Sequence, residues 1–325
     1  MMMKRALLLL SFFIFTTLTK AQDADSGKAK KPDTVKVGIY ITSIHDIDFK
    51  QKEYNVNFWL WLKYKNKDFD FLKNLEIPNA KSFTASYSTI DTSNGQVYLV
   101  MKLQCVMKDS WKIGNFPFDR QKLRLFFENS QYDAQSLVFV ADTLGNHYDP
   151  RFTLSGWIID SCRLSVGKKA YETAFGDDNI SKPHMDYSSF RVMIGIKREA
   201  GGLFWKMFLG MYIAFLIAYI CFYIHADGVD SRFGLSVGAL FAVIGNKYII
   251  DSALPESTSF TLVDTLHGIT LFFIFSVITA TAYSMRLVKN NKVKKANRFD
   301  MIIAQVLLVI YIILNIYFIS TANAG

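Results

Sequence analysis

The chain has 325 residues, of which 51% are hydrophobic and 15% aromatic, and a formal net charge of +9. That apolar share is high for a soluble protein of a length that allows about two domains. The basic excess argues against nucleic-acid binding, because a run from Arg286 to Arg298 without one acidic residue sits between two apolar spans.

In chain order, Lys4 and Arg5 precede an apolar run, Ala6 to Phe15, and Ala21 stands before Gln22. This pattern predicts a signal peptide over residues 1–21, with a retained signal anchor as the alternative. Residues 22–34 are polar and Lys-rich and read as a mobile leader. Alternation then begins: Val35, Val37, Ile39 and Ile41 fall on one face of a strand, and Val56, Phe58, Leu60 and Leu62 on one face of another. Trp59 and Trp61 fall on the opposite face, where they need a second packed sheet, a subunit contact or a ligand.

Strand-like runs follow at 97–106, 123–127, 136–140, 154–166 and 187–197. Turn signals at Ser93-Asn94-Gly95, Leu144-Gly145-Asn146 and Gly176-Asp177-Asp178 separate several of them. Many short strands so punctuated predict a β-sandwich over residues 35–198. Cys105, Cys162 and Cys221 form no disulfide framework; Cys105 and Cys162 are expected to be free thiols, pairing being the alternative. The scattered histidines show no metal-ligand spacing, so neither a metal nor another cofactor is expected.

From residue 199 onward the pattern is helical and apolar, with spans at about 203–224, 233–250, 260–285 and 301–319, each long enough to cross a bilayer. The basic segment 286–298 reads as a short cytoplasmic loop, which leaves the sandwich on the exported side. The second span carries Ser236, Asn246 and Lys247, and Asp230 stands just before it; polar groups there face a water path or a partner helix.

The segment Trp111-Lys112-Ile113-Gly114-Asn115-Phe116-Pro117-Phe118-Asp119-Arg120-Gln121 resembles the loop signature of pentameric ligand-gated ion channels. The resemblance continues through Leu125, Phe127, Tyr132-Asp133, Ser136-Leu137 and Leu154-Ser155-Gly156-Trp157 to Lys197-Arg198, and then from Arg232 to Leu254-Pro255. Eukaryotic members carry two cysteines where this chain has Asp109 and Leu123, so the chain resembles the bacterial branch. The first span lacks the family's usual proline, and Ser130 stands where acetylcholine receptors place a tryptophan.

Asp230, Gly234, Gly238, Phe241, Gly245, Tyr248 and Ser252 recur at helical spacing on the second span. By spacing alone, the Gly234–Gly238 pair favours tight helix packing over a pore lining. The resemblance implies that this stripe lines a five-fold axis, with Asp230 as a selectivity ring and Phe241 as an apolar gate. It implies a ligand cleft between subunits, with Trp59 on one side and Tyr171, Phe175, Tyr187 and Phe190 on the other. It also implies coupling of the two halves through Phe116, Pro117, Phe118, Asp119 and Arg198 to Leu254 and Pro255.

The expectation is an all-β extracellular sandwich followed by a four-helix transmembrane bundle. It would be a subunit of a homopentamer in the cell (inner) membrane, opened by a small-molecule ligand or protons and permeable to monovalent cations. The rival is a non-conducting, membrane-anchored sensor. No span carries paired groups suited to bond cleavage, so an enzyme is not expected.

Overall fold

The computed structural model describes residues 31–176, 183–225 and 227–324. The signal segment, most of the leader and the Asp177-Asp178 turn lie outside the described residues. Two sheets come first. One has the order β4-β5-β2-β1-β7, built from β1 (Asp33–Asp48), β2 (Glu53–Tyr64), β4 (Ala80–Ser93), β5 (Gln96–Lys108) and β7 (Leu137–Ala141). The other has the order β3-β6-β9-β8, from β3 (Leu75–Glu76), β6 (Arg120–Asn129), β8 (Trp157–Tyr171) and β9 (Met185–Arg198). A single turn of helix, α1 (Phe71–Asn74), precedes β3.

The alternation in the sequence becomes the core. Val35, Val37, Ile39, Ile41, Val56, Phe58, Leu60 and Leu62 are fully buried and meet Leu123, Leu125, Phe127, Phe190, Val192 and Ile196 of the facing sheet. Phe58 meets the edge of Phe127 at 5.5 Å between ring centroids. Trp61 is satisfied within the chain: it lies over Gly38, where any Cβ would collide with the ring, and donates its indole N–H to Asp142 Oδ2 at 3.1 Å.

β4 carries no pattern in the sequence. Its residues are exposed on both faces at the edge of the sheet, and two bulges interrupt it, so no apolar alternation marks it. The strand expected at 154–166 instead runs over Trp157–Tyr171, with Leu154 in the turn before it.

Four helices follow: α2 (Ala200–Ile220, continued by a 3₁₀ turn at Cys221–Tyr223), α3 (Val229–Ala253), α4 (Leu262–Lys289) and α5 (Val293–Ala324). All four are long and apolar enough to cross a membrane. α3 begins earlier than expected, so Asp230 lies within its first turn rather than before it. The 286–298 segment is not an open loop, because α4 extends to Lys289 and α5 starts at Val293. Its basic residues therefore ride on helix ends, where cations at the last turn of α4 meet the negative end of the helix dipole.

All three cysteines are free thiols, and burial pushes Cys105 up to about 12. Where the resemblance places two cysteines, Asp109 and Leu123 stand apart in role. Leu123 is core, whereas the buried Asp109 carboxylate accepts from Arg124 Nε at 3.1 and 3.2 Å, and from the guanidinium's terminal nitrogen as well. An ion pair thus closes this loop.

Candidate coupling junction, ligand cleft and ion path

The FPFD loop is folded by its own polar residues. Gln121 clasps Lys112 through both backbone groups, accepting from its N–H at 3.0 Å and donating to its carbonyl at 2.9 Å. The same amide donates to Asp119 Oδ2 at 2.6 Å, and Arg198 Nε donates to Asp119 Oδ1 at 2.7 Å. Asp119 is almost wholly buried, so these bonds replace the water that its carboxylate gives up.

The Arg198 guanidinium packs against three aromatic faces. Its central carbon stands 4.0 Å from the Trp157 ring centroid, 4.7 Å from Phe49 and 4.9 Å from Phe116. Asp119 therefore sets the guanidinium plane, and the rings shield it from water.

The same loop reaches the helices. Ile113 and Phe116 are buried in the helix-bundle cluster rather than the sandwich core, and Phe118 packs on Phe204 of α2 at 5.5 Å. The Gly114 carbonyl accepts the Leu262 N–H, at the start of α4, at 2.7 Å. Leu254 packs beside the cluster and Pro255 is buried. A cavity of about 710 Å³ lies between the β1–β2 turn and the outer ends of α2 and α3, lined by Phe49, Phe116, Arg198, Leu203 and Leu254 among others.

Tyr171, Phe175 and Tyr187 form one cluster, with ring centroids 5.6, 5.6 and 6.2 Å apart. The Tyr171 hydroxyl donates to Glu128 Oε2 at 2.8 Å. Burial first, then Glu128, pushes the Tyr171 hydroxyl well above its ordinary range. Tyr187 shifts upward too, through burial and then Asp133, Glu76 and Glu128. The cluster is thus electronegative, and Lys169 already holds its ammonium 5.5 Å from the Tyr171 ring.

Phe190 does not belong to this cluster. It is fully buried and packs 5.8 Å from Phe127 in the sandwich core, because its position in β9 points inward. Trp59 lies on the outer face of the other sheet, 5.8 Å from Tyr87 and beneath Lys102. Within one chain Trp59 and the tyrosine cluster stand on different sheets. Glu128 carried no sequence signal, since its role depends on a partner 43 residues away.

On α3 one side packs and the other is bare. Arg232, Ser236, Ala239, Val243 and Ile250 are buried, whereas Asp230, Gly234, Gly238, Gly245 and Ser252 are exposed, together with Phe241 at 67% and Tyr248 at 77%. Asn246 and Lys247 of the span reach partner helices. Asn246 donates to the Met207 carbonyl at 3.1 Å and meets His267 Nε2 at 2.9 Å, and Lys247 pairs with Asp251 at 2.5 Å and Asp264 at 2.8 Å. Arg232 turns away from Asp230 and pairs with Asp300.

No family model matches the chain. It is 22% identical over 292 residues to the proton-gated ion channel of Gloeobacter violaceus, covering 83% of this chain and 78% of that protein. It is 21% identical over 191 residues to the glutamate-gated chloride channel of Drosophila melanogaster, covering 57% of this chain and 38% of that protein. The match to the gamma-aminobutyric acid receptor subunit gamma-4 of Gallus gallus is 20% over 286 residues, covering 81% and 61%.

The chain is similar to ligand-gated ion channels over most of its length. This channel homologue spans less than two thirds of the length of either animal relative. Its relatives are channels rather than enzymes, and its sheets and four apolar helices are those of a multi-pass membrane protein.

Proposed function

We propose that five copies of this chain surround a pore in the cell (inner) membrane, with the sandwich exported, and that a small ligand or protons acting on the sandwich open it to monovalent cations. The bare face of α3 carries this reading. One stripe of it presents an acid, three glycines, Phe241, Tyr248 and a serine, and the aliphatic Leu235, Val237, Ile244 and Ile249 are exposed beside that stripe. A lipid-facing surface would favour continuous aliphatic cover, whereas a small and polar stripe with one apolar ring suits a water-filled path with a neck.

In this reading Asp230 forms an acidic ring at the end of the pore remote from the sandwich and favours cations, and Phe241 closes the path by dewetting. A neighbouring copy brings Trp59 to the cluster of Tyr171, Phe175 and Tyr187. The aromatic faces and the nearby carboxylates favour a small organic cation as the ligand. Ligand binding in the cleft shifts a closed–open equilibrium through Phe116, Pro117, Phe118, Asp119 and Arg198 to Leu254 and Pro255. Pro255 sits in the turn that follows α3.

Single-channel recording of purified protein in planar bilayers tests this. Stimulus-dependent unitary currents with a cation-directed reversal potential are expected. Silence from intact pentamers under small amines and at low pH would favour the non-conducting sensor.

A further inference from the structure

The most deeply buried charges of the helix bundle lie far from the ligand cleft. Arg232 of α3 and Asp300 of α5 are almost wholly inaccessible, and Arg232 Nη2 stands 2.8 Å from Asp300 Oδ2. Arg232 also donates from Nε to the Ile224 carbonyl at 3.0 Å, in the link between α2 and α3. Ser284 of α4 donates to the same Asp300 oxygen at 2.9 Å. Ser236 and Cys221 complete the node, with Ser236 Oγ donating to the Arg232 carbonyl at 2.9 Å and Cys221 Sγ 3.2 Å from Ser236 Oγ. All four helices are therefore tied at one point, at the end of the bundle remote from the sandwich.

Two residues along a helix are about 200° around its axis. The Arg232 side chain thus leaves α3 on the side opposite Asp230, and the exposures agree: Asp230 is exposed and Arg232 is 1% exposed. Among the described residues, Asp300 is the one carboxylate within ion-pair distance of Arg232. Within this node the Arg232 and Asp300 charges cancel, and without Asp300 the Arg232 charge is left uncompensated on the same helix turn as Asp230.

We infer that Asp300, on the outermost helix in sequence, is a positioning residue for the ion path. It holds Arg232 away from the axis, fixes the inner end of α3 and leaves Asp230 as the charge that permeating ions meet. The inference rests on the channel reading above. It differs from a purely structural role, since a buried ion pair retained for packing alone would leave permeability ratios untouched.

The test uses the full-length protein in bilayers under a salt gradient. Asp300→Asn is expected to lower the cation-to-anion permeability ratio about fivefold or more, and Arg232→Gln to raise it, because the two changes unbalance the node in opposite senses. Asp300→Asn combined with Arg232→Gln is expected to return the ratio to near that of the parent. An unchanged ratio in assembled Asp300→Asn pentamers would overturn the inference, as would a shift of the same sign in both single variants. Should Asp300→Asn fail to assemble, Arg232→Gln decides alone: a raised ratio supports the role, and an unchanged one refutes it.

A parent protein that passes no current counts against the channel reading, and a second readout then tests the node. The labelling rate of an Asp230→Cys thiol by a membrane-impermeant reagent should change on adding Asp300→Asn, while that of Ser252→Cys should not. Equal rates at both positions would reject the positioning role.

Discussion

Arg198, the last residue of β9, is bound to Asp119 three times: Nε reaches Oδ1 at 2.7 Å, Nη2 reaches Oδ2 at 3.3 Å, and the backbone N–H reaches the Asp119 carbonyl at 3.2 Å. The pair joins the FPFD loop to the strand that leads directly into α2. Arg198→Lys keeps the charge but loses the fork and the aromatic stacking. We expect pentamers to persist and the stimulus for half-activation to rise about tenfold, roughly 1.4 kcal/mol of coupling. Arg198→Ala, which strands a buried carboxylate, should cost about 3–5 kcal/mol in thermal or denaturant melts. An unaltered activation curve for Arg198→Lys would remove the pair from the transmission route.

Asp230 is exposed in the first turn of α3. Replacing it with Asn should remove about five charges from a narrow mouth and lower cation preference, read as a shift in reversal potential. If the potential stays where it was, the filter lies elsewhere.

Phe241 and Val243 are two residues apart and differ sharply, the first being exposed and the second fully buried. Phe241→Ala is expected to widen and rewet the neck, giving current without stimulus. A cysteine at 241 should react with a water-soluble thiol reagent and alter the current, and one at 243 should not. Reaction at 243 and silence at 241 would mean that another face of α3 lines the axis.

Phe175 and Phe190 separate ligand from core. Phe175 is exposed beside the tyrosines, so Phe175→Ala should leave stability within about 0.5 kcal/mol and weaken responses to small amines. Phe190→Ala empties a packed site and should cost about 3–5 kcal/mol in unfolding. Parallel titration and melting curves check both. Equal stability losses would place Phe175 in the fold rather than the cleft.

The sequence carried the sandwich wherever one face of a strand is apolar, as in β1 and β2. It failed for β4, whose residues are exposed on both faces and leave no period to detect. The helices were legible as lengths of apolar chain, but their ends were not: the caps and polar turns around Val229 and Val293 continue the helix in residues that a hydropathy reading discards. The FPFD motif was visible, yet the clasp of Gln121 on Lys112 needed coordinates. Phe190 was misplaced because an aromatic beside a turn-rich stretch looks the same whether its strand turns it in or out. Glu128 and Asp300 gave no signal, since each acquires meaning only from a partner on another element.

The Gly114–Leu262 hydrogen bond has a mechanical consequence. The sandwich is fastened to the bundle covalently where β9 runs into α2, and again through the Gly114 carbonyl at the head of α4. Two points of attachment define a line, and a body held on a line swings about it more easily than in any other direction. The aromatic contacts at Phe116 and Phe118 pack the same loop against the bundle. The sandwich is therefore mounted like a door on two hinges. The β1–β2 turn faces the outer end of α3 across the cavity, which gives a rotation there somewhere to go.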